Sequence, residues 1–322
     1  MLLEDKKKFT VYLDQNIVSH LREGEPAKEE LSRVLERFQE HGAVFVYSHV
    51  HVEECRAFYE PEQYVRVLDK IDGHYIQPTG QQCEAVSNMA NGLILCKTDF
   101  ASKSHALLCH PMALSQYILG WLGELEADEL KRELNADIDL WVKELERETL
   151  GLFETSLIRQ QLSEPLLSLE LNKLKQEGLK QKPQTEREWN VRYGRIDNLA
   201  PSKVVDFILS EIDGEAARSL ADQFPKGTWP NGTYKENGTL TGLLFFLFTQ
   251  GVGRDPRVKK GSQSQRRKRL QAQFRDCQHI EEAARCDLFL SNDAAAIKLA
   301  QAAYDYAGVD TVAKHVLIHL TQ

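Results

Sequence analysis

The sequence predicts an α/β fold, a mostly parallel sheet covered by helices on both faces. Two observations predict it. Strand-like and helix-like segments alternate near both ends of the chain, and acids stand where strands end. Phe9 to Leu13 is a short run of β-branched and aromatic residues and reads as a strand. Leu31, Val34, Leu35 and Phe38 follow at i, i+3, i+4 and i+7, one face of a helix that Gly42 closes. Ala43 to Tyr47 is a second buried strand, and Ser48 is placed to cap the helix after it. Toward the other end, Asp276, Ile280 and Ala283 share a helical face. Asp287 to Ser291 reads as a strand, Ala294 to Tyr304 as an alanine-rich helix, and His315 to Leu320 as a last strand.

Between these ends the pattern changes. From Met112 to Leu179 the chain is rich in Leu, Glu and Lys at helical spacing, as in Leu114, Tyr117, Ile118 and Trp121. Lys180 to Glu188 is polar, holds Pro183 and reads as a loop. Residues 225–242, with six Gly and Pro, read as irregular. The expected organisation is an α/β core made of 1–85 and 266–322, interrupted by a mainly helical insertion over 86–265. Apolar helical faces in that insertion are expected to pack on each other or on a second chain, a second copy or a regulatory protein, for assembly or substrate choice.

Composition narrows the function. The longest apolar run, Leu243 to Phe248, is far short of the roughly 20 residues that cross a bilayer. The opening MLLEDKKKFT has no leader pattern, so a soluble, cytoplasmic protein without a membrane partner is expected. None of the six cysteines forms a C-x-x-C pair, and reduced thiols are expected. The sequons at Asn231 and Asn237 then read as Asn-Gly turns. The net charge of −8 argues against a protein that coats nucleic acid indiscriminately. Charge is unevenly spread, however. Residues 254–275 hold nine bases against Asp255 alone, so any nucleic-acid footprint is expected there, at Arg266, Arg267, Lys268, Arg269 and Arg275. Residues 121–150, with ten acids and four bases, read as a solvated helix face.

Asp14 ends the first strand in VYLDQN, and Asp293 follows the DLFLS strand in LSND. In open parallel sheets the loops at the carboxyl ends of strands form the ligand crevice. Two acids there point to a hard cation, Mg²⁺ or Mn²⁺. VYLDQN resembles the first motif of PIN-domain nucleases, a hydrophobic strand ending in Asp with Asn two residues on. SHVHVEECR resembles the second. DCQHIEEAARCDLFLSND resembles the third and fourth, with Asp276, Ala283, Ser291 and Asp293 in the family order. The resemblance covers residues 8–60 and 270–320. It implies a three-layer α/β/α PIN-like core and hydrolysis of phosphodiester bonds with one or two Mg²⁺ or Mn²⁺ ions. Asp14, Glu54, Asp276 and Asp293 would hold the metal, and Asn16 and Ser291 would orient those ligands. The roughly 200 residues between the second and third motifs depart from a family core that is usually continuous. Glu53 stands beside Glu54, and adjacent helical residues point about 100° apart, so one of them faces the site.

Other residues have plainer readings. Asp287 reads as a turn acid before a strand. His279, one turn after Asp276, reads as a phosphate contact or as a helix-surface or partly buried histidine. His49 and His51 form a metal pair only on paper. Trp121, Trp141, Trp189 and Trp229 read as core or turn aromatics before base-stacking platforms. The expected function is an endoribonuclease, a toxin or defence effector, with RNA favoured over DNA. The competing readings are a PIN-like module that binds RNA or protein without cutting, and a structure-specific DNase.

Overall fold

Alternate residues of the central strands face opposite layers of helices, and this alternation builds two hydrophobic clusters. The computed structural model describes residues 8–57, 61–79, 82–85, 185–211, 222, 224–227, 240–253 and 263–318, with isolated residues between 128 and 160. The strands are β1 (Phe9–Leu13), β2 (Ala43–Tyr47), β3 (His74–Thr79), β4 (Gln82–Ala85), β5 (Leu288–Ser291) and β6 (Val312–His315). The helices are α1 (Gln15–His20), α2 (Lys28–Glu40), α3 (His49–Ala57), α4 (Pro61–Lys70), α5 (Glu186–Asp197), α6 (Pro201–Ser210), α7 (Leu240–Thr249), α8 (Gln263–Ala283) and α9 (Ala294–Ala307).

The sheet order is β4-β3-β2-β1-β5-β6. Five strands run parallel, and β4 adds an antiparallel hairpin to β3. Val11 pairs with Phe45 on one side and Leu288 on the other, which makes β1 a central strand. Its residues Val11, Tyr12 and Leu13 are essentially inaccessible, as a strand covered on both faces requires. Tyr12, Val46, Ile76, Phe289 and Ala313 point into one cluster with α6, α7, α8 and α9. Val11, Leu13, Phe45, Tyr47, Tyr75 and Leu290 point into the other, with α1, α2, α3 and α4. This is an α/β fold with helices on both faces.

Elements expected near the two ends are present with small shifts. Ser48 Oγ accepts the Val50 N–H at 3.3 Å and caps α3. Asp293 caps α9, and Gly308 ends it in the left-handed conformation at φ 74°. The last strand lies earlier than expected, at Val312–His315 rather than His315 to Leu320. Its position is set by pairing, because Leu288 aligns with Val312 and Ser291 with His315. An edge strand needs only alternate residues buried, so the most apolar run nearby is not the one that pairs.

In the middle of the chain the structure revises two expectations. The loop expected through Glu188 ends earlier, because Thr185 and Glu188 form a capping box that starts α5. The irregular stretch expected through Gly242 ends at Leu240, where the apolar helix α7 begins. Helix α7 is buried all round, against α8 and α9, and α6 packs on α9. The apolar faces of α6 and α7 are thus covered by the same chain and share one cluster with the sheet. The helices expected around Leu114 to Trp121, and the turns at Asn231 and Asn237, lie outside the described residues. Cys55, Cys277 and Cys286 are buried free thiols, and no described helix is long and apolar enough to cross a membrane.

Candidate functional site

Strand order decides where a ligand crevice forms. From β1 the chain moves to β2 on one side, and from β5 it moves to β6 on the other. The direction reverses between β1 and β5, and their carboxyl ends are the topological switch point. Asp14 follows β1 and Asp293 follows β5. The two acids therefore stand side by side, 279 residues apart in the chain. Asp287 lies at the opposite end of β5. Its Oδ2 accepts the Thr10 N–H at 2.7 Å and the Thr10 hydroxyl at 2.9 Å. It fastens the starts of β1 and β5 together and is not part of the site.

The switch point is held by a closed hydrogen-bond set. Ser291 Oγ donates to Asp14 Oδ2 at 2.6 Å. The same oxygen accepts from Asn16 Nδ2 at 3.1 Å and from the Asp293 N–H at 2.9 Å. Asn16 Nδ2 also donates to Asp14 Oδ2 at 2.7 Å, and Asn16 Oδ1 accepts the Asn292 N–H at 3.3 Å. Ser291 is fully buried, so its hydroxyl has no water to turn to, and its proton and both lone pairs are used. Asn16 and Ser291 thus aim Asp14 and hold the two strand-end loops in register. Asp293 is exposed, and its Oδ1 accepts the Ala295 N–H at 2.7 Å and the Ala296 N–H at 3.3 Å.

Helices α3 and α8 bring in the other two acids from opposite helical layers, and the two helices touch. Glu54 Oε2 accepts from His279 Nε2 at 3.0 Å. His279 Nδ1 lies 2.8 Å from the Tyr12 hydroxyl, which lies 2.8 Å from Ser48 Oγ. Asp276 Oδ2 accepts from Gln273 Nε2 at 3.0 Å. His51 is wholly buried, with Nε2 2.7 Å from the Leu13 carbonyl and Nδ1 accepting the Ser48 N–H at 3.1 Å. Those partners fix a neutral imidazole that donates from Nε2, and burial lowers its pKa well below the ordinary value. His51 is therefore a brace between β1 and α3 and not one of a metal pair with His49.

Electrostatics tie the four acids together. Burial raises the Asp276 carboxyl well above its ordinary range, and the charges of Asp14, Glu54 and Asp293 push it further. Burial also raises Asp14, and Glu54 adds to that, against the His279 charge and the Ser291 hydrogen bond. Burial pushes Glu54 up too, but the His279 hydrogen bond and charge, with the charge of Arg275, outweigh it and hold Glu54 below its ordinary value. For His279 burial lowers the pKa. The Glu54 hydrogen bond and the charges of Glu54, Asp14 and Asp276 overcome that and leave it raised. The oxygen-only acid set suits a hard dication, which would offset this repulsion. As placed, no group of three or more His, Cys, Asp or Glu side chains among the described residues converges closely enough to hold a metal ion. Asp14 and Glu54 each have an oxygen engaged by the neighbours named above, and Asp293 is engaged as a helix cap.

The basic residues sit on the helix that carries Asp276. Arg266, Arg267, Lys268, Arg269 and Arg275 all belong to α8, so the second half of the basic stretch is helical from Gln263. Arg266 stands ten residues before Asp276, about 15 Å along the axis. Arg269, half-buried, shares the face of Asp276, and Arg275 is exposed beside it. Residues 254–262 lie outside the described residues.

Sequence reasoning did not find Tyr12, Ser48 or Gln273 as parts of the site, and it weighed His279 without finding its partners. The available signal was spacing. His279 is one turn from Asp276, and Tyr12 is two residues before Asp14. Neither spacing tells which residue from another element will meet it. Compared with known proteins, the chain matches no family model, no curated protein and no solved structure.

Proposed function

We propose that this chain is a metal-dependent phosphodiesterase that cuts nucleic acid, with RNA favoured over DNA, on a PIN-like α/β core. One observation carries the reading. Asp14 after β1, Glu54 on α3, Asp276 on α8 and Asp293 after β5 lie near enough to interact, and burial, then the charges of the other three acids, raise the Asp276 carboxyl. When bound, Mg²⁺ or Mn²⁺ supplies Lewis-acid chemistry, polarising a phosphate oxygen and favouring attack by water. Asp14, Glu54, Asp276 and Asp293 would hold it, and Asn16 and Ser291 keep Asp14 aimed. The basic half of α8 leads toward the site and supplies phosphate contacts that carry no sequence information.

A second reading is a PIN-like module that binds RNA or protein without cutting. The carboxylate oxygens of Asp14, Glu54 and Asp293 that are engaged by protein donors favour it. Incubation of the full chain with labelled RNA and DNA, in Mn²⁺ or in EDTA, separates the two. Metal-dependent cleavage that EDTA abolishes is the expected result. Binding without cleavage in any divalent ion establishes the second reading instead.

A further inference from the structure

We infer that His279 is a positioning residue that fixes Glu54 in the metal-holding set, and that Tyr12 holds His279 in place. The inference rests on the metal-dependent reading above. His279 stands on α8, one turn from Asp276, so its backbone position is set by the same helix that delivers an acid. Its Nε2 reaches Glu54 on α3 at 3.0 Å, and its Nδ1 reaches Tyr12 on β1 at 2.8 Å, two residues before Asp14. One imidazole therefore joins three of the four elements that carry acids. It also spans the two helical layers, which otherwise belong to separate hydrophobic clusters.

The chemistry of the contacts sets the direction. An ionised carboxylate only accepts, so the proton between His279 and Glu54 sits on Nε2. The Tyr12 hydroxyl has one proton and two neighbours, Ser48 Oγ and His279 Nδ1. Either orientation of that proton leaves the ring plane fixed. The ring is fixed by packing as well, with centroids 5.9 Å from Tyr12 and 4.7 Å from His51. Its side chain is 2% exposed, so no water competes for either nitrogen. The Glu54 side chain is 15% exposed, and its Oε2 is the oxygen that His279 holds. A flexible glutamate held at one oxygen presents the other in a defined direction, as hydrogen-bonded partners do for metal-ligating carboxylates.

Mn²⁺ affinity of the full chain, measured by titration calorimetry, tests this. His279→Leu keeps bulk and removes the donor, and His279→Gln keeps an N–H at the same reach. Loss of a cation near the site would by itself tighten Mn²⁺ binding, so charge and positioning predict opposite signs. Positioning predicts at least about tenfold weaker binding in His279→Leu, recovery of most of it in His279→Gln, and no further loss when His279→Leu is added to Glu54→Gln. Binding as tight as the parent's, or losses that multiply in the double variant, overturns the inference and leaves the acid site standing. If His279→Leu does not fold by circular dichroism, Tyr12→Phe decides, because freeing Nδ1 must weaken binding in the same direction, and parent-like affinity there overturns the inference. A parent chain that binds no Mn²⁺ and cuts nothing overturns the metal-dependent reading itself, and this inference with it.

Discussion

Ser291 Oγ donates to Asp14 Oδ2 across 2.6 Å, joining two strand ends that stand 277 residues apart in the chain. Both groups are buried, so neither has a water substitute, and the bond sets where Asp14 can reach. Removing one partner of a buried, charge-assisted hydrogen bond costs about 1.5–3 kcal/mol. Ser291→Ala is expected to lower stability by that order and to slow cleavage 10- to 100-fold. Asp14→Asn is expected to abolish cleavage while circular dichroism stays native. Near-parent rates in Asp14→Asn would remove Asp14 from the site.

Asp276 is expected to be a source of instability when no dication is bound. Its folded carboxyl is raised, so as pH climbs from the ordinary carboxyl range through the raised value, the folded state keeps a proton that the unfolded state has lost. Stability therefore falls across that window. Asp276→Asn removes the repelled charge and is expected to raise Tm in EDTA at neutral pH while abolishing cleavage. A lower Tm than the parent's would show that the charge is well compensated and would count against the acid cluster.

Mn²⁺ is expected to stabilise the parent by linkage, by about 2.7 kcal/mol at a hundredfold excess over Kd. Thermal melts with Mn²⁺ and with EDTA measure it. The shift should shrink strongly in Asp276→Asn and in Glu54→Gln, and an equal shift in all three proteins would place the ion elsewhere.

Gly253 has φ +63°, and a Cβ there would lie 2.5 Å from the Ala295 carbonyl oxygen in the first turn of α9. Gly253→Ala is therefore expected to displace the start of α9, which Asp293 caps, and to reduce both Tm and cleavage. Asp287→Ala, at the far end of β5, is expected to cost about 1 kcal/mol and leave cleavage per folded molecule unchanged. Equal effects of the two variants on specific cleavage would break the link between α9 and the site.

Changing Arg266, Arg267, Lys268 and Arg269 together to Ala is expected to weaken binding of all nucleic-acid sequences alike. The salt dependence should flatten by about 0.7 log units per lost phosphate contact for single strands. An unchanged slope in filter binding would mean that this half of α8 faces something other than nucleic acid.

Local chemistry in the sequence was sufficient for the elements themselves. Alternation and β-branched residues marked β1 and β2, apolar spacing marked α2, and Ser48 marked the start of α3, because each depends on residues a few positions apart. Asp14 and Asp293 were legible for the same reason, as polar residues directly after buried strands. The capping box at Thr185 was equally local, and the polar run around it hid the signal.

What only the tertiary structure decided is which of these neighbours meet. The sheet order puts β1 beside β5, and this order alone turns two strand-end acids into a pair. The place of β6 follows from its register with β5 and not from its own apolarity. His279 could be placed on the Asp276 face by spacing, but its contacts with Glu54 and Tyr12 span 225 and 267 residues. Contacts of that separation arise only when packing brings whole elements together, so no local pattern encodes them.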